Sequence, residues 1–375
     1  MKHIDEYRDR ELVLKLSERI AREISRSWNI MEICGGQTHT LMKYSLQQLL
    51  PEQINLIHGP GCPVCVTPVE MIDRAIELAM NPGVILASFG DMMRVPGSHT
   101  DLLEAKAKGA DVRMVYAPLD ALQQAMDHPD REVVFFAVGF ETTAPAVAMT
   151  VREARRRQVP NFSVLVSHVR VPPAMEALLG SELNRIDGFL AAGHVCTVMG
   201  EAEYRPIAER YGVPIVITGF EPVDILLGLH TLIGMLEGGR NEVENAYTRS
   251  VRPEGNLQAK AIMGEVFDLT DRNWRGIGTI PSSGLRLSQD YEDFDALRRF
   301  SLKETQQAEP GVCMAGEILT GRKRPPQCSA FGSACTPEHP KGAPMVSSEG
   351  ACAAYYAYGS AGEDPRPQES SINEH

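Results

Sequence analysis

The sequence predicts an α/β protein with two related parallel-sheet domains and a small, cysteine-rich C-terminal domain. Three observations predict it. From about residue 30 to residue 225, short apolar runs alternate with amphipathic segments, the pattern of βαβ units whose sheets carry helices on both faces. Two stretches of this region echo one another at an offset of about 130 residues. Finally, four of the eight cysteines crowd into the last sixth of the chain, where Gly, Pro and Ser dominate.

The strand-like runs are Ile30–Ile33, Ile54–Ile57, Val84–Ser88, Val112–Tyr116, Val133–Val138, Ser163–Ser167, Gly188–Ala192 and Pro214–Thr218. Helical periodicity marks Val69–Ala79, Asp101–Lys108, Ala144–Arg157 and Glu201–Tyr211 between them, and a helix from about Thr38 to Leu50 ends at Pro51. Thr67-Pro-Val-Glu70 reads as a capping box with Pro68 at the first helical position, and Ser98 and Asp101 mark a similar start. The echo pairs Leu56–Cys65 with Phe189–Cys196, and Val84–Asp91 with Pro214–Glu221, which fits tandem related domains. Beyond Glu221 the pattern turns helical over Val223–Leu236, Glu242–Ser250 and Leu257–Val266, and strand signals fade after Arg275. Boundaries fall at 1–125, 126–222 and 223–375, the last unit ending in a polar tail after Gly359 with the composition of a disordered segment.

The chain has 375 residues, enough for two or three cores, and is 43 % hydrophobic and 23 % charged, as globular proteins are. A net charge of −12 argues against phosphate backbones as partners, so no nucleic acid is expected. Arg152–Arg157 reads as the exposed end of a helix, where cations suit the dipole. The charged N-terminus lacks a signal-peptide core, and no apolar run reaches the ~18 residues of a membrane span. A cytoplasmic location follows, and there cysteines serve as metal ligands or redox thiols rather than structural disulfides.

Three cysteine sites stand out. Gly59-Pro-Gly-Cys62-Pro-Val-Cys65 joins a strand end to a helix start with two thiols in CxxC spacing, suited to a redox dithiol or a pair of metal ligands. The spacing permits a reversible Cys62–Cys65 disulfide, and the helix expected after Thr67 makes Cys65 the more acidic thiol. Cys34-Gly-Gly-Gln-Thr-His39 places a thiol at the carboxyl end of a strand, where open α/β sheets bind ligands. Gly35 and Gly36 let backbone approach whatever that thiolate holds, and His39 is a candidate ligand or hydrogen-bond partner. The third site is Cys313, Cys328, Cys335 and Cys352, whose number matches a 4Fe–4S cluster or a tetrahedral zinc site. Zinc ribbons pair their cysteines as CxxC, so the open spacing favours iron–sulfur. Asp91, Arg94 and Glu141 either line an interdomain cleft or act as turn and cap residues; His168, His194 and Cys196 are weaker candidates. No GxGxxG, P-loop or GxSxG occurs, which removes support for dinucleotide, nucleoside-triphosphate and serine-hydrolase readings.

Cys34-Gly-Gly-Gln-Thr-His39, Gly59-Pro-Gly-Cys62-Pro-Val-Cys65, Gly139-Phe-Glu-Thr-Thr143 and the late quartet, in this order, resemble the HypD-type hydrogenase maturation factors along essentially the whole chain. The resemblance implies two related α/β domains and a small C-terminal iron–sulfur domain similar to ferredoxin–thioredoxin reductase. It implies an assembly scaffold with redox activity rather than a conventional enzyme. That scaffold would hold iron with a HypC-type chaperone while cyanide, supplied by HypE with HypF, and carbon monoxide are attached. On this sequence, Cys34 is the implied iron-holding thiol, Cys62 and Cys65 the redox pair, and Cys313, Cys328, Cys335 and Cys352 the cluster ligands. Glu349 is implied to contribute beside the last of these. Gln37 departs from the family, whose members often carry His there. The alternative from another class is a cluster-dependent disulfide reductase, which leaves Cys34 without a task.

Overall fold

The computed structural model describes residues 5–302 and 311–359; the tail after Gly359 lies outside them. Eleven strands form among these residues. Sheet A contains β1 (Trp28–Glu32), β2 (Ile54–His58), β7 (Gly188–Ala192), β8 (Ile215–Thr218) and β9 (Val243–Asn245) in the order β2-β1-β7-β8-β9. Sheet B contains β3 (Val84–Ser88), β4 (Val112–Met114), β5 (Glu132–Gly139) and β6 (Phe162–His168) in the order β4-β3-β5-β6. All neighbours in both sheets run parallel. The α/β class with parallel sheets thus stands as expected. Parallel strands covered on both faces need apolar residues at successive positions, and every residue of β3, β6 and β7 is buried.

Numbered within each sheet, the strands follow 2-1-3-4-5 in A and 2-1-3-4 in B, so the two units share a topology. They are not consecutive in the chain. Sheet B occupies residues 84–168 and is inserted between β2 and β7 of sheet A. The strand pairing therefore divides the chain differently from a boundary at residue 125, because β3, before it, pairs with β5, beyond it. Nor does the internal echo join equivalent strands: β2 and β7 lie in one sheet, while β3 and β8 hold different positions in the two. Periodicity identifies strands but carries no information about which ones pair. One contiguous core includes Met31, Phe189 and Ile215 of sheet A with Leu86, Phe136 and Leu165 of sheet B, tying the units together.

Helix α1 (Arg10–Glu23) packs on the helix Pro222–Glu237 over one face of sheet A. Helix α2 (Gly35–Lys43) begins directly after Cys34 and gives way to a 3-10 turn at Leu46–Leu49, in place of one helix to Leu50. Helices α3 (Pro63–Val66) and α4 (Val69–Ala79) follow β2. The expected capping box does not form, because Pro68 is the N-cap of α4. Thr67 Oγ1 instead donates to Pro63 O at 2.8 Å, and Glu70 accepts from Asn273 Nδ2 at 2.8 Å. Asp101 does cap its helix, through Glu104 N–H at 2.7 Å, while Ser98 bonds to Asp73.

Two further expectations fail. Within the expected helix Glu242–Ser250, Val243–Asn245 adds as the edge strand β9 beside β8. Beyond residue 266, strands β10 (Phe267–Trp274) and β11 (Gly278–Leu287) form an antiparallel hairpin. Its polar, half-exposed faces conceal it from a search for apolar runs. The hairpin turn grips the α3 end, since Arg275 N–H donates to Val66 O at 2.8 Å. Among the described residues, 311–359 form short helices and turns with a single bridge between Phe331 and Cys335. No helix among the described residues is long and apolar enough to cross a membrane.

Candidate functional site

In a 2-1-3-4-5 sheet the chain departs in opposite directions from the first and third strands, and a crevice opens outside their carboxyl ends. In sheet A these strands are β1 and β7. Cys34 follows β1, and Gly193-His194 follows β7. The Cys34 Sγ lies 3.6 Å from His194 Nδ1. His194, a weak candidate in the sequence, is therefore the imidazole that meets the thiol. His39 is turned elsewhere: its Nδ1 lies 3.1 Å from Ser348 O and its ring stands edge-on to Tyr358. Gln37 is buried and donates to Ala191 O at 3.2 Å, with its Oε1 unpartnered.

The strand neighbouring β1 on its other side is β2, so the CxxC loop reaches the same crevice. The two loops interlock through glycine: Gly35 N–H donates to Gly61 O at 2.9 Å, and a Cβ on Gly61 would stand 2.3 Å from Cys34 N and Cα. Cys62 and Cys65 are joined as a disulfide with a Cα separation of 5.2 Å. Cys62 is the N-cap of α3, and its Sγ accepts from Cys65 N–H at 3.2 Å. The backbone donor is thus aimed at the Cys62 sulfur rather than at Cys65, because the helix there starts five residues earlier than the sequence indicates.

Burial, then the charges of Glu349 and Glu32, push the Cys34 thiol up, so an empty site keeps its proton. Burial pushes His194 down to about 4, which leaves its ring uncharged with a nitrogen lone pair available. Glu349 closes the crevice from the C-terminal segment, its Cβ and carbonyl lying against Gly35. Burial, then Asp91, raise its carboxyl above the usual range. Sheet B anchors the same segment through Arg94, whose guanidinium donates to Pro337 O at 2.9 Å and Val346 O at 3.4 Å.

The four late cysteines line one small cavity with Ile318, Ala330, Phe331, Pro344 and Met345. Burial, then Cys313, Cys335 and Cys328 in turn, push the Cys352 thiol upward, as crowded thiols do. Among the described residues no three His, Cys, Asp or Glu converge tightly enough to hold a single ion. Four thiols around a shared apolar cavity instead suit ligands that each meet a different iron of a cluster. The residues present fit that group.

Fold and site define a class: an α/β protein of two same-order parallel sheets, with a buried switch-point thiol beside a CxxC disulfide and a four-cysteine segment. A family model described as HypD, hydrogenase formation hypA family, matches residues 11–359. The chain is 50 % identical over 368 residues to hydrogenase maturation factor HypD of Azotobacter vinelandii, covering 96 % of this chain and 97 % of that one. To hydrogenase maturation factor HypD of Escherichia coli K12 it is 47 % identical over 366 residues, covering 96 % and 98 %. With such identity along nearly the full length of both, the chain belongs to the HypD family and has a role in hydrogenase maturation.

Proposed function

We propose that the protein is the scaffold on which the iron dicyanide carbonyl group of NiFe-hydrogenases is assembled. The observation that carries this reading is the Cys34 thiol, buried at the switch point and 3.6 Å from an uncharged imidazole. Iron is cargo here. Cys34 supplies a soft donor, and ion binding displaces the proton that burial otherwise retains. His194 Nδ1 is the lone-pair partner of that thiol. A Cβ on Gly36 would stand 3.7 Å from the Cys34 Sγ, so glycine there keeps a side chain off the thiol. A HypC-type chaperone would complete the coordination from the open side, with HypE and HypF as the cyanide source.

Cys313, Cys328, Cys335 and Cys352 would hold a 4Fe–4S cluster, which when bound supplies electrons one at a time. Cys62 and Cys65 store two electrons as dithiol or disulfide, within the same interlocked loops as Cys34. Arg94 seats the C-terminal segment, and Glu349 brings a carboxyl to the crevice. The test is infrared spectroscopy of the anaerobically purified complex with the HypC-type partner. Cyanide and carbonyl bands are expected in the wild-type complex and absent from Cys34→Ala. Persistence of the bands in that variant overturns the reading, as does a colourless protein with stoichiometric zinc for the cluster. A simple disulfide reductase would retain its activity in Cys34→Ala.

A further inference from the structure

Glu32 is the last residue of β1, fully buried, and a carboxylate there is tolerable only with strong donors. It has three. Cys34 N–H donates to Oε2 at 2.9 Å, Thr38 Oγ1 donates to Oε1, and His58 Nδ1 lies 2.7 Å from Oε1. The carboxylate therefore fixes the backbone of the thiol-bearing residue from below. His58 is the last residue of β2 and stands in register with Glu32.

The other side of the imidazole faces two donors. Gln47 Nε2 lies 2.9 Å from His58 Nε2, and Tyr355 OH lies 3.3 Å from the same atom, with the two rings edge-on at 5.4 Å. With Nδ1–H directed to Glu32, Nε2 has one lone pair, and two donors compete for it. Tyr355 lies three residues beyond Cys352 on the helix Ala351–Tyr358, so phenol and cysteine share a helix face and move together. That helix packs on α2, through Met42 against Ala354 and Tyr355.

We propose that Tyr355, His58 and Glu32 form a positioning string through which occupancy of the four-cysteine site sets the reactivity of Cys34. When the segment is loaded, Tyr355 shares the His58 lone pair. When it loosens, Gln47 takes that lone pair alone, the imidazole shifts, and Glu32 moves its grip on Cys34 N–H. Two discrete arrangements of one acceptor supply the bistable element that coupling between separate sites requires. The inference rests on the reading of the four cysteines as a cluster site.

The test is the rate of Cys34 alkylation by iodoacetamide in full-length, anaerobically prepared protein, followed by mass spectrometry. Chelating the cluster iron of the wild type is expected to change that rate by about fivefold or more. Tyr355→Phe keeps the ring and its edge-on contact with His58 but removes the hydroxyl. It should shift the rate before chelation and reduce the response to chelation. Gln47→Leu removes the donor that takes over when the segment loosens, so it should also shrink the response to chelation while leaving Tyr355 on the His58 nitrogen before it. Equal rates in wild type and Tyr355→Phe overturn the string whatever the segment binds. Iron content and colour report separately on the cluster reading, so the two failures are distinguishable.

Discussion

In sheet A the crevice between first and third strands is bordered by Cys34 and His194, whereas in sheet B the corresponding crevice is bordered by Phe89-Gly90-Asp91 and Gly139-Phe140-Glu141. The first ends in a thiol beside an imidazole and an interlocked disulfide loop. In the second, Glu141 is occupied structurally, its Oε1 accepting from Val171 N–H at 2.9 Å at the start of the helix Val171–Leu179. Arg94, just past β3, holds the C-terminal segment in place. One topology supplies two crevices; the residues at the strand ends make one a ligand site and the other a seat.

The sharpest way to break that comparison is to exchange the roles. Cys34→Ala should remove the cyanide and carbonyl bands of the partner complex completely, while Glu141→Gln should leave them. Loss of the bands in a folded Glu141→Gln protein would show that sheet B takes part in the chemistry. The dithiol belongs to sheet A alone, so Cys62→Ser and Cys65→Ser should each block hydrogenase maturation with circular dichroism unchanged. Because Cys62 receives the backbone N–H, the Cys65→Ser protein, which retains Cys62, should alkylate faster than Cys62→Ser at neutral pH.

Glycine substitutions sharpen the contrast further. A Cβ at Gly61 meets the backbone of Cys34 and Ile33 within 2.5 Å, which cannot rotate away. Gly61→Ala should therefore cost at least about 3 kcal/mol in denaturant unfolding, as severe overpacking does. At Gly139 the first obstacle is the Thr143 side chain. Thr143→Ala should rescue much of the Gly139→Ala loss, and no single side-chain truncation should rescue Gly61→Ala.

The smallest effect is on pH dependence. Burial raises the Glu141 carboxyl from its usual 4.5 to about 7. Between these values the folded state keeps a proton that the unfolded chain has released, so stability falls as pH rises through the window and stays lower above it. The loss is on the order of 3 kcal/mol. Glu141→Gln should be more stable than wild type at alkaline pH and show a flatter melting temperature between about pH 5 and 8. Equal slopes in the two proteins would place the titration elsewhere.

Local order fixed much of this molecule before folding. The limits of β3, β7 and α4 coincide with the expected ones, because each is a self-contained apolar or amphipathic run. The family motifs likewise marked Cys34, Cys62 and Cys65 as a group to be explained. Tertiary structure alone decided that sheet B is inserted within sheet A, which puts β2 and β7 on either side of β1. That neighbourhood selects His194 over His39, brings Gly61 against Cys34, and links Tyr355 to Glu32 through His58. Spacing along a chain sets which side chains share a strand or helix face; which strands lie side by side depends on burying all their faces at once, a condition on the whole chain that no local pattern contains.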